Sequence, residues 1–375
     1  MKDDDKRIAV FLPSLAGGGA ERVMVTLANG FAASGVSVDL VVVAAEGAYL
    51  EDVSPRVRLV ELGASRVLFS LPALVRYLRR ERPHALLSAL NHANIIALWA
   101  RKLACTRTRL VVSERNTLSR DLSSDRYERV VPWLMRLSYP TADAIVAVSG
   151  GVADDLAQTV RLPRERIDVV YNPINSNLPR LAEAPIVHPW LAEGEPPVIV
   201  AAGRLTVQKD FATLVEAFAR VRRTHRARLV ILGEGELRAT LEARIAELGI
   251  AEDVALPGFV DNPYSWMRQA SLFVLSSAWE GFCNVLAEAM ACGTPVVSTD
   301  CPSGSAEILE NGKWGRLVPV GDAPALARAI AATLDDETHP DVRQRARSFD
   351  LHQALRGYLR ALRVPMPISR KQHLG

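Results

Sequence analysis

The sequence predicts an α/β protein built from two doubly wound parallel sheets, each in a domain of its own. With 375 residues, the chain is too long for one typical domain and long enough for two. In both halves short apolar runs alternate with helical patterns, which is typical of parallel sheets that carry helices on both faces. A proline-rich stretch of weak periodicity separates the halves. We therefore predict an N-terminal domain over residues 1–175, a linker over 176–197 and a C-terminal domain over 198–348.

The first half begins with a short apolar strand over 8–12, which leads through Gly17, Gly18 and Gly19 into an amphipathic helix. This glycine run has neither the spacing of a dinucleotide-binding loop nor the Lys-Ser/Thr of a P-loop, so a tight turn is the simplest interpretation. The pattern also predicts strands and helices further along, with strands over 38–43, 57–62, 85–88, 110–113 and 144–148 and helices over 71–82 and 93–102.

Polar side chains follow two of these strands, at the sheet edge where parallel sheets bind ligands. His92 follows one strand, and Glu114, Arg115 and Asn116 follow the next. An acid, a fork-shaped cation and an amide together suit a sugar or an acceptor phosphate. The alternatives are a salt-bridged loop for these three residues and a capping or packing role for His92.

The second half contains a predicted strand–turn–helix–strand unit. Strands over 272–275 and 296–299 flank a helix from about residue 284 to 291. Gly293 and Pro295 are expected to end that helix, because glycine favours the helix end and proline cannot continue the helix.

Two carboxylates lie in this unit, Glu280 in the loop before the helix and Glu288 within it. The N–H groups of residues 282–285 are expected to point out of the helix N-terminus, where a phosphate binds readily. Carboxylates on both sides of an anion site suit a ligand with a diphosphate between two hydroxyl-rich groups. The alternative is two ordinary acids around an ordinary turn.

Two cations, Arg204 and Lys209, lie five residues apart in the loop after the apolar strand that begins at Val198. Fixed cations there suit a diphosphate, because they neutralise the charge that grows on a leaving nucleotide. From the spacing alone, two exposed cations are the simpler interpretation.

These residues belong to longer motifs. The run E-G-F-x-N-V-L-x-E-A-M-A-C-G-x-P-V-V starts at Glu280, and G-R-L-x-x-x-K-D starts at Gly203, about 75 residues earlier. Together the motifs resemble the signature of retaining nucleotide-sugar glycosyltransferases of family four, and the resemblance extends from about residue 8 to residue 362. It implies the GT-B fold, in which two Rossmann-like doubly wound domains face a central cleft.

The resemblance also implies an activity. The chain is expected to transfer a sugar from a nucleotide-diphosphate sugar, a UDP-sugar, to a glycan or a polyprenyl-diphosphate-linked acceptor, as enzymes of polysaccharide biosynthesis do. The donor is expected in the C-terminal domain and the acceptor in the N-terminal domain, with no metal and no cofactor. Two alternatives remain open at this point: a sugar-nucleotide epimerase of the same architecture, and a non-catalytic two-domain sugar-binding protein.

Individual residues receive roles from the same resemblance. Glu280, Arg204 and Lys209 are the expected catalytic residues, since the two cations would hold the donor diphosphate and Glu280 would orient the donor sugar. The expected donor-binding residues are Gly18, Gly19, Gly203, Phe259, Val260, Phe282, Cys283, Asn284, Val285 and Glu288, the last on the ribose. The expected acceptor or sugar contacts are Gly17, His92, Glu114, Arg115 and Asn116. Many relatives carry a histidine near this last group; this chain has none there, and His92 is a candidate to replace it.

Composition narrows the class of protein. Hydrophobic residues make up 49% of the chain and charged residues 23%, as in an ordinary globular protein. There is no uninterrupted run of about 18 apolar residues, so no spanning helix is predicted. The start, Met1–Lys6, leads straight into a strand, which predicts no signal peptide; its acids resemble part of an expression tag or a native acidic start. The four cysteines form no metal-binding pattern and are expected to be free thiols in a reducing cytoplasm.

The basic excess lies in the first half. Residues 1–175 hold 23 Lys and Arg against 19 Asp and Glu, a net charge of +4. No nucleic-acid-binding motif accompanies it, so nucleic acid is not an expected partner. Arginines cluster on and just after one predicted helix, at Arg76, Arg79, Arg80 and Arg82. We therefore predict a cytoplasmic enzyme that is peripheral on the inner face of the cytoplasmic membrane, bound to anionic lipid. A C-terminal helix over 349–363 is expected to cross back to the N-terminal domain, followed by a flexible tail over 364–375.

Overall fold

The computed structural model describes residues 6–16, 18–121 and 126–366. The chain forms two compact units. The first consists of Met1–Pro173 together with Leu351–Gly375, and the second consists of Ile174–Asp350.

The first unit is built on a seven-stranded parallel sheet with the strand order β3-β2-β1-β4-β5-β6-β7. Its strands are β1 Ile8–Leu12, β2 Val38–Val42, β3 Val57–Glu61, β4 Ala85–Ala89, β5 Arg109–Glu114, β6 Ala144–Ala147 and β7 Ile167–Val169. Its helices are α1 Gly19–Ala33, α2 Leu71–Glu81, α3 Asn91–Ala104, α4 Leu118–Asp121, α5 Arg126–Ser138 and α6 Gly150–Val160, with a 3-10 turn at Val67–Ser70 before α2. Strands β1, β2 and β4 are buried along their whole length, which is why they read as apolar or nearly apolar runs.

The second unit is a six-stranded parallel sheet with the order β10-β9-β8-β11-β12-β13. Its strands are β8 Val198–Ala202, β9 Arg228–Leu232, β10 Val254–Gly258, β11 Leu272–Leu275, β12 Val296–Thr299 and β13 Arg316–Val318. Its helices are α7 Leu178–Ala182, α8 Phe211–Val221, α9 Arg238–Glu247, α10 Pro263–Gln269, α11 Asn284–Cys292, α12 Ser305–Ile308, α13 Ala323–Asp335 and α14 Val342–Ala346. The first strand of each sheet, β1 or β8, lies inside it with later strands on both sides, so both units are Rossmann-like.

Two segments connect the units along the chain. The predicted linker over 176–197 lies inside the second unit, where Asn262 Nδ2 and Ser265 Oγ both donate to the carbonyl of Leu181, at 2.8 and 3.0 Å. The last helix, α15 Leu351–Leu362, belongs to the first unit, and its apolar face packs into the same core as β1 and α1.

The predicted flexible tail begins within this core. Val364 is buried and Met366 packs against it, whereas residues 367–375 lie outside the described part of the chain. Within the described ranges, no helix has both the length and the apolar character needed to cross a bilayer.

Candidate functional site

The loops after the central strands of the second sheet are joined backbone to backbone. Gly233 N donates to Gly258 O at 2.8 Å, and Leu205 N donates to Glu234 O at 2.8 Å. The approach is so close that a Cβ at Gly233 would lie 2.0 Å from the carbonyl oxygen of Gly203. Glycine is therefore required there, and the ends of β8, β9 and β10 form one continuous rim.

At this rim Lys209 forms an ion pair with Glu280, and Ser277 Oγ donates to the same carboxylate oxygen at 2.7 Å. Lys209 comes from the turn after β8 and Glu280 from the loop after β11, two strands that lie side by side. The aliphatic part of Lys209 passes over Gly203, where a Cβ would lie 3.0 Å from Cε. The absence of a side chain at Gly203 thus leaves Lys209 room to reach Glu280.

The charges of this pair are held in a largely dry place, since Glu280 is only 7% exposed. Burial alone would lower the pKa of Lys209, but the adjacent Glu280 carboxylate outweighs it, and the pKa is raised above its usual 10.5. Lys209 therefore stays protonated across the neutral range. Its ammonium is a fixed positive charge at the rim.

The loop that carries Glu280 is fixed by further hydrogen bonds to the turn that carries Lys209. Ser276 Oγ donates to the Lys209 carbonyl at 2.8 Å, and Ala278 N donates to the Gln208 carbonyl at 2.8 Å. The side chain of Gln208 in turn donates to Trp279 O at 3.0 Å. Ser277 and Gln208 were not predicted from the sequence. Both are polar and lie within three residues of a predicted site residue, and this proximity is the signal that could have identified them.

Helix α11 begins directly after this loop, with Cys283 as its N-cap residue and Gly293 in a left-handed conformation at its end. The end was predicted correctly. The expectation for the N-terminus needs one correction, because the N–H of Asn284 is donated to the carbonyl of Phe282 at 2.8 Å and does not point outward unused. Phe282 is buried, and its ring packs edge-on against Phe349 with centroids 5.4 Å apart.

Three of the four cysteines surround this region, and all four are free thiols, as predicted. The Sγ atoms of Cys283 and Cys301 both contact Ser305 Oγ, at 3.4 and 3.3 Å. Burial raises the pKa of Cys283, whereas the hydrogen bond from Cys283 lowers the pKa of Cys301. No group of three or more His, Cys, Asp or Glu side chains that could hold a metal ion occurs among the residues that the structure describes.

Three more of the expected donor contacts lie in the same unit. Glu288 is buried on α11 and accepts a hydrogen bond from the Tyr264 hydroxyl at 3.2 Å. Arg204 is exposed in the loop after β8. Phe259 is 76% exposed and follows β10, with the half-buried Val260 after it.

Strand β10 ends at Gly258. Its pairing with β9 shifts in register between Ala255 and Gly258, around Pro257, which has no N–H to donate. The roles predicted for Phe259 and Val260 stay predictions.

The expected acceptor loop of the first unit is mostly buried. Glu114 ends β5 and accepts hydrogen bonds from the Tyr139 hydroxyl and from Asn94 Nδ2, the latter at 2.9 Å. Arg115 donates to Asn172 Oδ1 at 2.6 Å and to the Tyr358 hydroxyl at 3.3 Å. Both side chains are thus engaged inside the unit, and any acceptor contact by them would have to compete with these bonds.

The remaining first-unit candidates lie after β5 or at the starts of α1 and α3. Asn116 is exposed after β5, and His92 is exposed in the first turn of α3, where its backbone N–H donates to Asn91 Oδ1 at 2.8 Å. Gly18 precedes α1, which begins at Gly19, and a Cβ at Gly18 would lie 2.1 Å from the Glu21 carboxylate. Gly17 lies outside the described residues.

Comparison with known proteins connects this geometry to a family. The family profile described as Glycosyltransferase Family 4 matches residues 17–178, and the profile described as Glycosyl transferases group 1 matches residues 196–336. The chain is 34% identical over 279 residues to the N-acetylgalactosamine-N,N'-diacetylbacillosaminyl-diphospho-undecaprenol 4-alpha-N-acetylgalactosaminyltransferase of Campylobacter jejuni, covering 73% of this chain and 74% of that protein. It is 30% identical over 329 residues to the lipopolysaccharide core biosynthesis glycosyltransferase LpsE of Rhizobium meliloti, covering 86% and 87%.

Solved structures agree with this grouping. HepE of Anabaena in complex with UDP-glucose matches with a TM-score of 0.80 at 22% identity, over 95% of this chain and 99% of that one. The lipopolysaccharide outer core galactosyltransferase WaaB matches with a TM-score of 0.73 at 20% identity, over 95% and 99%. At these identities the likeness shows the fold. Family profiles match both halves of this chain, and the matches to the two named relatives cover most of this chain and most of each relative. The chain therefore belongs to the family-4, group 1 glycosyltransferases and has their GT-B fold of two Rossmann-like domains.

Proposed function

We propose that this glycosyltransferase moves a sugar from a UDP-sugar to a polyprenyl-diphosphate-linked or other glycan acceptor, with retention of the anomeric configuration. The observation that carries the proposal is the buried Lys209–Glu280–Ser277 group at the rim of the second sheet. The relatives support the class of acceptor, since the Campylobacter protein is named for a diphospho-undecaprenol substrate. HepE, which shares the fold, holds UDP-glucose in its structure and supports the choice of nucleotide.

In the proposed mechanism, the donor diphosphate lies against Lys209 and Arg204, at the N-terminal end of α11. The two cations and the helix dipole oppose the negative charge that grows on the leaving UDP. Glu280 accepts hydrogen bonds from hydroxyls of the donor sugar, and its charge favours an oxocarbenium-like state at the nearby reacting carbon. The nucleotide sugar is a substrate, so the proposed reaction uses no cofactor, and its stabilising charges come from the chain itself.

The test of this activity is nucleotide release from UDP-, GDP- and ADP-sugars, each with a polyprenyl-diphosphate-linked glycan. We expect acceptor-dependent release with a UDP-sugar, and a product whose new linkage keeps the donor's anomeric configuration by NMR. Lys313→Ala, which removes a 63% exposed lysine paired with Glu310, should leave the rate unchanged. The absence of acceptor-dependent nucleotide release with every donor, or an inverted linkage, would contradict the proposal.

A second prediction concerns Glu288, which we assign to the donor ribose. Glu288→Ala should raise the donor KM more than it lowers kcat, because the ribose is remote from the reacting carbon. Tyr264→Phe removes the hydroxyl that donates to Glu288 but keeps the carboxylate, so its rise in KM should be smaller. Steady-state kinetics at varied donor concentration measure both constants for each variant. A loss in kcat at unchanged donor KM would refute the assignment.

We also propose that the enzyme works at the cytoplasmic face of the membrane, where a polyprenyl-linked acceptor would be anchored. The predicted helix with the arginine cluster is α2, and its residues Leu74 and Leu78 are buried, as expected for the face toward the protein. The arginines Arg76, Arg79, Arg80 and Arg82 are all exposed. Exposure leaves them open to anionic lipid headgroups, although Arg80 Nε also pairs with the Glu81 carboxylate at 2.8 Å.

A further inference from the structure

Two buried cysteines of the second unit, Cys283 and Cys301, lie against each other near the candidate site. Their Sγ atoms contact the same hydroxyl, Ser305 Oγ, at 3.4 and 3.3 Å. They come from different elements, because Cys283 is the N-cap residue of α11 and Cys301 follows β12. We call these two residues the cysteine pair. The mechanism proposed above uses neither thiol.

The surroundings of the cysteine pair give its two sulfur atoms different character. The hydrogen bond from Cys283 is the main influence that lowers the pKa of Cys301, and a hydrogen bond with Ser305 and the nearby Lys209 ammonium act in the same direction. Burial and the Glu280 carboxylate oppose them without reversing the result. Cys283 remains a thiol, because burial raises its pKa. A sulfur that ionises readily beside a neutral thiol suits a reaction in which the first attacks an oxidant and the second completes a disulfide.

The cysteine pair lies directly beneath the surface. Cys283 is 1% exposed and Cys301 is 3% exposed, but Asp300 and Pro302, on both sides of Cys301 in the chain, are exposed. Such a position suits a small oxidant, such as hydrogen peroxide, better than a large thiol reagent.

We propose that the cysteine pair is a reversible oxidation site, at which a hydroperoxide joins Cys283 to Cys301 in a disulfide that switches the transferase off. The Cys301 thiolate attacks one peroxide oxygen and the O–O bond breaks, which leaves a sulfenic acid on Cys301 and releases hydroxide. That hydroxide takes up the proton that Cys301 had lost. The Cys283 sulfur then attacks the Cys301 sulfur, the S–O bond breaks, and the departing hydroxide leaves as water with the proton of Cys283. The two sulfur atoms lose two electrons, and hydrogen peroxide is reduced to two molecules of water.

Both cysteines are connected to the loop that carries Glu280. The carbonyl of Cys283 accepts a hydrogen bond from Ala287 N at 3.2 Å, in the first turn of α11. Glu280 N donates to the carbonyl of Pro302, the residue after Cys301, at 3.4 Å. A disulfide bond is much shorter than a hydrogen bond between thiols, so its formation must move at least one of these two segments.

Movement of the Glu280 loop explains the loss of activity that we expect. A displacement of about 1 Å near the reacting groups can lower a rate roughly 100-fold. This consequence rests on the proposed function, because it assigns Glu280 to the donor sugar. The formation of the disulfide does not rest on it. A reductant such as dithiothreitol should restore both thiols by exchange, and the rate with them.

The first test is peptide mapping of the full chain after treatment with hydrogen peroxide and then with an alkylating agent, without reduction. Cleavage after glutamate places Cys283 in peptide 281–288 and Cys301 in peptide 289–307. We expect these two peptides to be joined after peroxide treatment. They should be separate in the untreated chain and again after dithiothreitol.

Cys292→Ala is the matched control for the mapping, because Cys292 is a buried cysteine in the same peptide as Cys301. Its Sγ donates to the Tyr264 carbonyl at 3.6 Å and contacts neither member of the cysteine pair through a hydrogen bond that the structure describes. The joined peptides should form in Cys292→Ala and be absent from Cys301→Ser.

The second test is acceptor-dependent nucleotide release before and after peroxide. The treated chain should be slower by at least about tenfold, and dithiothreitol should restore its rate. Cys301→Ser, which keeps a small polar side chain beside Ser305, should retain its untreated rate and lose most of its sensitivity to peroxide. Thermal unfolding of this variant checks that it is folded.

Four outcomes would overturn the inference. They are a pair that stays unlinked while the exposed Cys105 is oxidised, a link through Cys292, a linked chain with an unchanged rate, or a sensitivity to peroxide that persists in Cys301→Ser. The mapping needs no nucleotide sugar. A chain that forms the disulfide but releases no nucleotide in either state would therefore contradict the proposed function and not the oxidation site.

Discussion

Lys209→Met should lower kcat/KM by roughly 100- to 1000-fold, the effect expected from removing one fixed group that stabilises a developing anion, about 2.7–4 kcal/mol. The ammonium of Lys209 is held in place by Glu280, with room for its side chain over Gly203, and the backbone carbonyl of Lys209 accepts a hydrogen bond from Ser276 Oγ. Because this charge is already positioned and largely shielded from water, little reorganisation is needed for it to stabilise the transition state. Methionine keeps the length of the side chain and removes the charge.

The same substitution should also destabilise the second unit, because it leaves the Glu280 carboxylate buried without its cation. Breaking a buried ion pair costs about 3–5 kcal/mol of unfolding free energy. We expect a cost near the lower end of this range, because Ser277 Oγ still donates a hydrogen bond to the Glu280 carboxylate. The double variant Lys209→Met, Glu280→Gln removes both charges and should recover most of the lost stability while activity stays low. Recovery of activity together with stability would show that Lys209 is structural and does not act on the diphosphate.

The pH dependence of this ion pair follows from the raised pKa of Lys209. A lysine whose folded-state pKa lies above its unfolded value binds its proton more tightly in the folded protein, so its stabilisation is complete below the unfolded pKa. It is lost as the pH rises through the folded pKa, that is, above about pH 10.4. The difference in unfolding free energy between the unchanged chain and Lys209→Met should therefore be constant through neutral pH and shrink in strong alkali.

The strands that form the site could be predicted from the sequence because they are short and apolar, and β8 and β12 are also flanked by glycine or proline. Strands β11 and β12 have the predicted bounds, and α11 ends where Gly293 indicated. Strand β7 was missed, since three residues give too little pattern to recognise. Each of these signals depends only on residues that are close together in the chain, so it can be recognised in a single sequence.

Side-chain partners distant in the sequence could not be predicted in the same way. Lys209 and Glu280 are 71 residues apart, and their pairing depends on β8 and β11 lying side by side. Arg115 was predicted to hold a sugar or an acceptor phosphate from a polar loop after a strand, yet its guanidinium is buried against Asn172 and against Tyr358, 243 residues away. A polar residue after a strand gives no sign of whether a later helix, here α15, will cover it.

Glu280→Gln should lower kcat at least about tenfold, a loss of about 1.4 kcal/mol, while the protein remains folded. Glutamine keeps the shape of the side chain, and its Oε1 can still accept hydrogen bonds from Lys209 and Ser277. It lacks the negative charge that favours an oxocarbenium-like carbon, and it accepts hydroxyl hydrogen bonds less strongly than a carboxylate does. The loss should therefore appear in kcat more than in the donor KM.

The control is Glu81→Gln, which weakens a more exposed ion pair in the first unit, between Glu81 and Arg58 at 2.8 Å. Its turnover should equal that of the unchanged chain, which separates loss of a charge at the site from loss of an ion pair in general. Steady-state rates with the UDP-sugar and a glycan acceptor, together with thermal unfolding of both variants, give the comparison. A folded Glu280→Gln protein with unchanged kcat would show that the carboxylate serves only to hold Lys209, because glutamine at that position preserves the contact and removes the charge.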